Sequence, residues 1–202
     1  MKKIVAYPAK ILREVLPVVT AVDKKLLEDV ADLSEILEKS ENGAGLSANQ
    51  IGSKSRFFGL KNGQTKKVDI FINPKIAKSF DEKVYPAIKL EDGGEDDFLE
   101  GCLSFPDFFG QVKRYLKIEA EWEQIAAIAK KNSFGEPKES YELVKKTKTM
   151  NGFEAIVFQH EADHLDGILF VDHIKRDGGK FYKWAAKEKI LWSVDKVIEG
   201  KM

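Results

Sequence analysis

The chain has 202 residues, long enough for one domain with a substantial core. Apolar residues make up 43% and charged residues 33%, as in ordinary soluble proteins, and no run approaches the roughly 18 apolar residues of a membrane span. Lys plus Arg and Asp plus Glu number 33 each, so the net charge argues for neither nucleic acid nor an acidic partner, and no DNA partner is expected.

Residues 4 to 19 carry Pro8 and Pro17 among short apolar runs, which predicts an extended arm with turns. Pro8, Lys10, Arg13 and Glu14 interrupt any resemblance of this arm to a secretory signal. In "DKKLLEDVADLSEILEKSENG", Leu26, Leu27, Val30, Leu33, Ile36 and Leu37 recur at three- and four-residue steps. That spacing predicts a helix capped by Asp23 and followed by Gly43. From Phe57 to about Ile88 the runs "FFGL", "VDIFINP" and "VYPAIKL" read as strands. The acidic "EDGGEDD" (91–97) reads as a solvated loop, and strands resume at "YLKIEAEW" (115–122). The run "EQIAAIAKK" (123–131) fits a short helix or an irregular strand, with a turn at "FGEPKE" (134–139).

A second long helix is expected from Asn151 to Gly167, in "NGFEAIVFQHEADHLDG". After it, "ILFVDHI" (168–174) reads as a short strand and residues 178–201 as a terminal amphipathic helix. No repeat or linker divides the chain, so residues 1–202 are expected to form one unit. The class expected is α+β: small antiparallel sheets around a central helix, with a C-terminal helix.

The central helix carries H-E-x-x-H. His160 and His164 are four residues apart and share a helix face, so both rings can reach one ion. Phe153, Ile156 and Val157 lie one or two turns earlier on that side, which predicts a dry, buried face. Glu161 points about 100° round from His160, within reach of a bound water, where a general base belongs. Two histidines leave a third ligand to find. A zinc peptidase cutting internal bonds is one reading, but position 170 is Phe170, leaving only His173 or Glu188 to complete that site. The other donor is Cys102, in "EGCLSFP". One thiolate, two imidazoles and a water make a four-coordinate site with an exchangeable position. A lone cysteine also rules out an internal disulfide and fits a reducing compartment. The third notable stretch is "GAGLSANQ" (43–50). Gly43 and Gly45 allow close backbone approach, and the Gln50 amide suits an uncharged oxyanion donor.

In order along the chain, these stretches resemble the peptide deformylases, whose pattern is G-x-G-L-A-A-x-Q, E-G-C-L-S and Q-H-E-x-D-H-L-x-G. Here it is matched by Gly43, Gly45, Leu46, Ala48 and Gln50; by Glu100 to Ser104; and by Gln159, His160, Glu161, Asp163, His164, Leu165 and Gly167. Weaker matches at "IVAYPAKILRE", "INP" (72–74) and "LDGILFVD" extend it over most of the chain. Ser47 replaces the usual alanine, which alters packing beside the substrate but removes no catalytic group; segments 75–99 and 123–148 look longer than a minimal member needs.

The resemblance implies removal of the formyl group from the N-terminal methionine of nascent polypeptides. It implies one divalent metal on Cys102, His160 and His164, foremost Fe(II), with Zn(II), Ni(II) or Co(II) able to replace it. It implies Glu161 as the base and Gln50 with the Leu103 N–H as oxyanion donors. Gly43, Ala44, Gly45 and Gly101 would offer backbone to the extended peptide, and Phe153, Ile156 and Val157 would line the methionine pocket. A bacterial cytoplasm is the implied setting. Residues 180–202 hold six lysines against three acids, a solvated face that also suits weak contact with ribosomal RNA.

Overall fold

The Asp23 carboxylate accepts the Leu26 N–H at 2.7 Å and starts α1 (Lys24–Lys39), as the cap signal predicts. In the computed structural model, described for residues 2–131, 137–185 and 188–200, the elements then follow in order. They are β1 (Gly45–Ser47), β2 (Phe57–Lys61), β3 (Val68–Ser79), β4 (Ala87–Lys89), β5 (Glu95–Asp97), β6 (Glu100–Cys102) and β7 (Phe105–Gly110). After these come β8 (Lys117–Lys131), β9 (Pro137–Asn151), α2 (Gly152–Leu165), α3 (Phe170–Asp177), β10 (Phe181–Ala185), β11 (Glu188–Leu191) and α4 (Val194–Ile198). The strands form antiparallel sheets in the orders β1-β2-β3-β8-β9 and β11-β10-β7-β6, with β4 and β5 a separate pair. The α+β class is therefore as expected.

Helix α2 lies between two cores. Ala155, Phe158 and Leu165 join Leu26, Leu33 and Leu37 of α1 against Phe57, Phe58 and Phe71 of the five-stranded sheet. Phe158 meets Phe58 edge-on, with ring centroids 5.1 Å apart. A second core, with Phe105, Phe108, Phe170, Ile174, Phe181 and Val197, sits under the four-stranded sheet. A helix enclosed on two sides must bury its polar groups as well, and Gln159, His160, Glu161 and His164 are all buried. Gln159 has a structural role: Oε1 accepts the Tyr115 N–H and Nε2 donates to the Tyr115 carbonyl. At the far end Gly167, at φ +69°, packs so tightly that a Cβ would lie 2.5 Å from the Arg13 carbonyl oxygen.

The N-terminal arm is extended, with one 3-10 turn, and it straps the three motif stretches together. Val5 N–H donates to the Gln50 carbonyl, Tyr7 N–H to that of Ser104 and Leu16 N–H to that of Leu165.

Some segments are left open by the sequence or differ from the sequence expectation. "EQIAAIAKK" resolves into strand, because Ile118, Ala120 and Trp122 alternate with Glu119, Glu121 and Glu123 along β8 and set its register. The first three residues of "FGEPKE" lie outside the described residues, and β9 begins at Pro137. "EDGGEDD" is the exposed β4–β5 hairpin rather than a plain loop. "ILFVDHI" is not a strand but enters α3, where Asp172 accepts the Leu169 N–H at 2.8 Å and Gly178 (φ +71°) closes the helix. Among the described residues of the terminal segment only Val194–Ile198 is helical. Phe181 stacks on Phe108 at 5.4 Å and draws β10 onto the edge of β7, with β11 paired beside it as a hairpin. That tertiary contact outweighs the helical periodicity.

Arg114, 1% exposed, joins the two halves. Its Nε and Nη2 donate to the two oxygens of Glu100 on β6 at 2.7 and 3.0 Å, and Nη1 donates to Asp163 on α2 at 2.5 Å. Burial pushes the Glu100 carboxyl up, but Arg114 and then His160 outweigh it and hold it at about 2; Asp163 is likewise held well below the usual carboxylate range. Arg114→Met is expected to leave both carboxylates in the interior without their guanidinium partner and to cost about 3–5 kcal/mol. Urea unfolding checks this: the midpoint should drop with an unchanged slope, and a midpoint equal to that of the parent would refute the assignment.

Candidate active site

The shared helix face brings His160 and His164 together, and the β6–β7 turn brings Cys102 to them. One donor atom from each of the three lies within 4.8 Å of the others, in an arrangement able to hold a metal ion. His160 Nδ1 is 2.8 Å from Glu100 Oε2, leaving Nε2 for a ligand, and His164 Nε2 is 3.3 Å from Cys102 Sγ. Such a carboxylate partner orients a ligating imidazole. Burial pushes His160 down, yet Cys102 and Glu100 outweigh it and hold the ring well above its ordinary pKa. Burial, then the neighbouring His160, keep His164 well below. The donor set of one thiol and two imidazoles beside a hollow of about 520 Å³ suits a divalent transition metal with an open position.

Glu161 is buried beside these groups, and burial raises its carboxyl pKa against the opposing pull of His160 and a hydrogen bond from Ser47. Its Oε1 lies where a Cβ on residue 45 would come within 2.6 Å, so Gly45 makes room for the carboxylate. Gly43 acts differently, through its N–H, which donates to Ser40 Oγ just past α1. The Gln50 amide is fixed at both ends. Oε1 accepts the Ser47 N–H at 2.8 Å, while Nε2 donates to Ser104 Oγ at 3.1 Å and to Cys102 Sγ at 3.3 Å. Its donor end therefore faces the cysteine side of the hollow. Leu103 occupies the turn between β6 and β7.

The hollow is lined by Gly43, Ala44, Gly45, Gln50, Gly101, Cys102, Leu103, Ile156, Val157, His160 and Glu161, so residues far apart in sequence meet in one place. His164 completes the donor cluster from behind, fully buried. Phe153 also lines the hollow but, at 58% exposed, is not on the buried face expected for it. It stands at the rim, edge-on to Phe98 at 6.0 Å. The alternative third ligands do not reach the cluster. His173 Nε2 is held by Asp163 at 2.8 Å, and Glu188 is exposed on β11.

Sequence reasoning passed over several contributors. Phe105, Phe108 and Phe109 wall the hollow, and "FPDFFG" directly after the cysteine motif was the available signal. Glu100 and Asp163 were visible only as motif letters, and Arg114 carried no local signal. Ser47 does not face the substrate; it is fully buried and bonded to Glu161.

The family model described as polypeptide deformylase matches residues 1–131 and 139–179. Peptide deformylase from Aquifex aeolicus is 34% identical over 179 residues, covering 87% of this chain and 88% of the relative. Peptide deformylase 1 from Bacillus subtilis is 33% identical over 177 residues, covering 87% and 91%. The crystal structure of the Thermotoga maritima peptide deformylase superposes with a TM-score of 0.62 at 29% identity, covering 86% of this chain and 97% of that one. Matched in sequence and in fold over most of its length, the chain belongs to the polypeptide deformylase family and removes the formyl group from the N-termini of nascent polypeptides.

Proposed function

We propose that residues 1–202 act as one catalytic unit in which Cys102, His160 and His164 hold a single divalent metal and Glu161 is the base. The convergence of the three donor atoms within 4.8 Å, beside a buried carboxylate, carries this reading. Fe(II) is the first choice of ion from the family, and the mixed sulfur and nitrogen set also accepts Zn(II), Ni(II) or Co(II). When bound, the ion lowers the pKa of the attacking water towards about 7 and polarises the formyl group.

The chain's own residues do the rest. Glu161, raised in pKa by burial, takes the proton from the attacking water and passes it to the departing amine. Gln50 Nε2, pre-aimed by its bond from Ser47, and the Leu103 N–H stabilise the oxygen as it gains charge. The backbone of residues 43–45 and Gly101 offers edges to an extended peptide. Ile156 and Val157, walled by Phe105 and Phe108, receive the methionine side chain while Phe153 closes the rim. Excluding water there strengthens each polar interaction.

A formylated substrate favours a bacterial cytoplasm as the setting, and the lone cysteine supports it. Among the described residues no helix is long and apolar enough to cross a membrane. The exposed Lys189 and Lys196 contribute to a basic face suited to a weak, salt-sensitive ribosome contact.

Two substitutions test the assignment. Glu161→Gln should retain its metal while kcat on formyl-Met-Ala-Ser falls by roughly 100-fold or more; a variant as fast as the parent would remove Glu161 from the role of base. Cys102→Ser should purify with far less metal than the parent. Full retention would return the third-ligand position to His173 or Glu188 and favour a peptidase.

A further inference from the structure

Ser47 stands where the family pattern carries alanine, and its side chain is fully buried between two groups placed in the catalytic machinery. A buried hydroxyl is costly unless it is hydrogen-bonded. Here Oγ lies 2.6 Å from Glu161 Oε2 and 2.9 Å from the Glu161 carbonyl oxygen. The single hydroxyl hydrogen serves one acceptor at a time, and the carboxylate is both nearer and the stronger acceptor. On the other side, the Ser47 N–H donates to Gln50 Oε1 at 2.8 Å, which ties the serine backbone to the Gln50 side chain. The far oxygen of Glu161 rests against Gly45, where a Cβ would fall 2.6 Å away. Gly45 therefore leaves room for one oxygen of Glu161, and the hydroxyl at 47 holds the other.

We propose that Ser47 is a positioning residue for the reaction. Its hydroxyl fixes the Glu161 carboxylate in the orientation from which it exchanges a proton with the attacking water, and the same residue sets the spacing between Glu161 and Gln50. The inference rests on the reading of Glu161 as the base. An alanine at 47 keeps the backbone bond to Gln50 Oε1 but leaves Glu161 Oε2 without its donor and free to rotate. A glutamate has several rotatable bonds, so loss of one anchor is felt as misalignment at the reacting atoms.

The test is a cycle of Ser47→Ala and Glu161→Gln, singly and together, with metal content and melting temperature measured on each. Alanine is the residue of the family pattern and is smaller than serine, so the variant is compatible with the fold. With metal content equal to that of the parent, Ser47→Ala should lower kcat on formyl-Met-Ala-Ser by about ten- to a hundred-fold, the value of a hydrogen bond to a charged group, and leave KM unchanged. In the Glu161→Gln background the same change should add no further loss, because the carboxylate base that the hydroxyl orients is gone. Equal losses in both backgrounds would assign Ser47 to packing and overturn the proposal, as would an unchanged kcat or a loss confined to KM. A Glu161→Gln single variant as active as the parent would overturn the reading of the base itself and this proposal with it, a result distinct from the other three.

Discussion

A guanidinium buried to 1% exposure has to be paid for by partners on rigid elements, and Arg114 takes its two from different motifs. Glu100 belongs to β6, two residues before Cys102; Asp163 belongs to α2, between Glu161 and His164. The arginine thus ties the strand that carries the thiol to the helix that carries the imidazoles. Glu100 passes the order on, since its Oε2 also holds His160 Nδ1, and Asp163 passes it on to His173 and so to α3. With all three of its nitrogens hydrogen-bonded to carboxylates, the guanidinium makes this network rigid, whereas losing one partner would leave an uncompensated buried charge. The separation of Cys102 from the histidines depends on it.

Around that anchor the chain encloses α2 on both sides. Phe158 faces the five-stranded sheet while Ile156 and His160 face the hollow, so the helix has no polar side to give to water. Several of its polar groups are instead paired inside the protein: Gln159 with Tyr115, the His164 carbonyl with Asn49 Nδ2 at 2.6 Å, and Glu161 with Ser47. The N-terminal arm adds a backbone bond to each motif stretch. The hollow is thereby built from pieces whose positions are all set elsewhere, which is what preorganised catalysis requires.

Much of this was legible from residue order. The i,i+4 histidines, the Asp23 cap and the lone thiol are local signals, and they led to α1, α2 and the three donors that meet in space. What stayed hidden is non-local. No periodicity announces that Arg114 will meet Glu100 and Asp163, because each lies in a different segment. "ILFVDHI" satisfies strand and helix patterns equally, and only Asp172 and Gly178 at its ends decide for helix. The terminal segment has helical spacing, but Phe181 finds Phe108 across the β7 edge. Ser47 reads as a neutral departure from a motif until its hydroxyl is seen against Glu161.

X-ray absorption at the metal edge of anaerobically loaded protein addresses the central claim most directly. A first coordination sphere with one sulfur at about 2.3 Å and two imidazole nitrogens at about 2.0–2.1 Å, as for zinc, is the result expected from Cys102, His160 and His164. A sphere of nitrogen and oxygen with no sulfur would contradict it, because Cys102 would then lie outside the metal site.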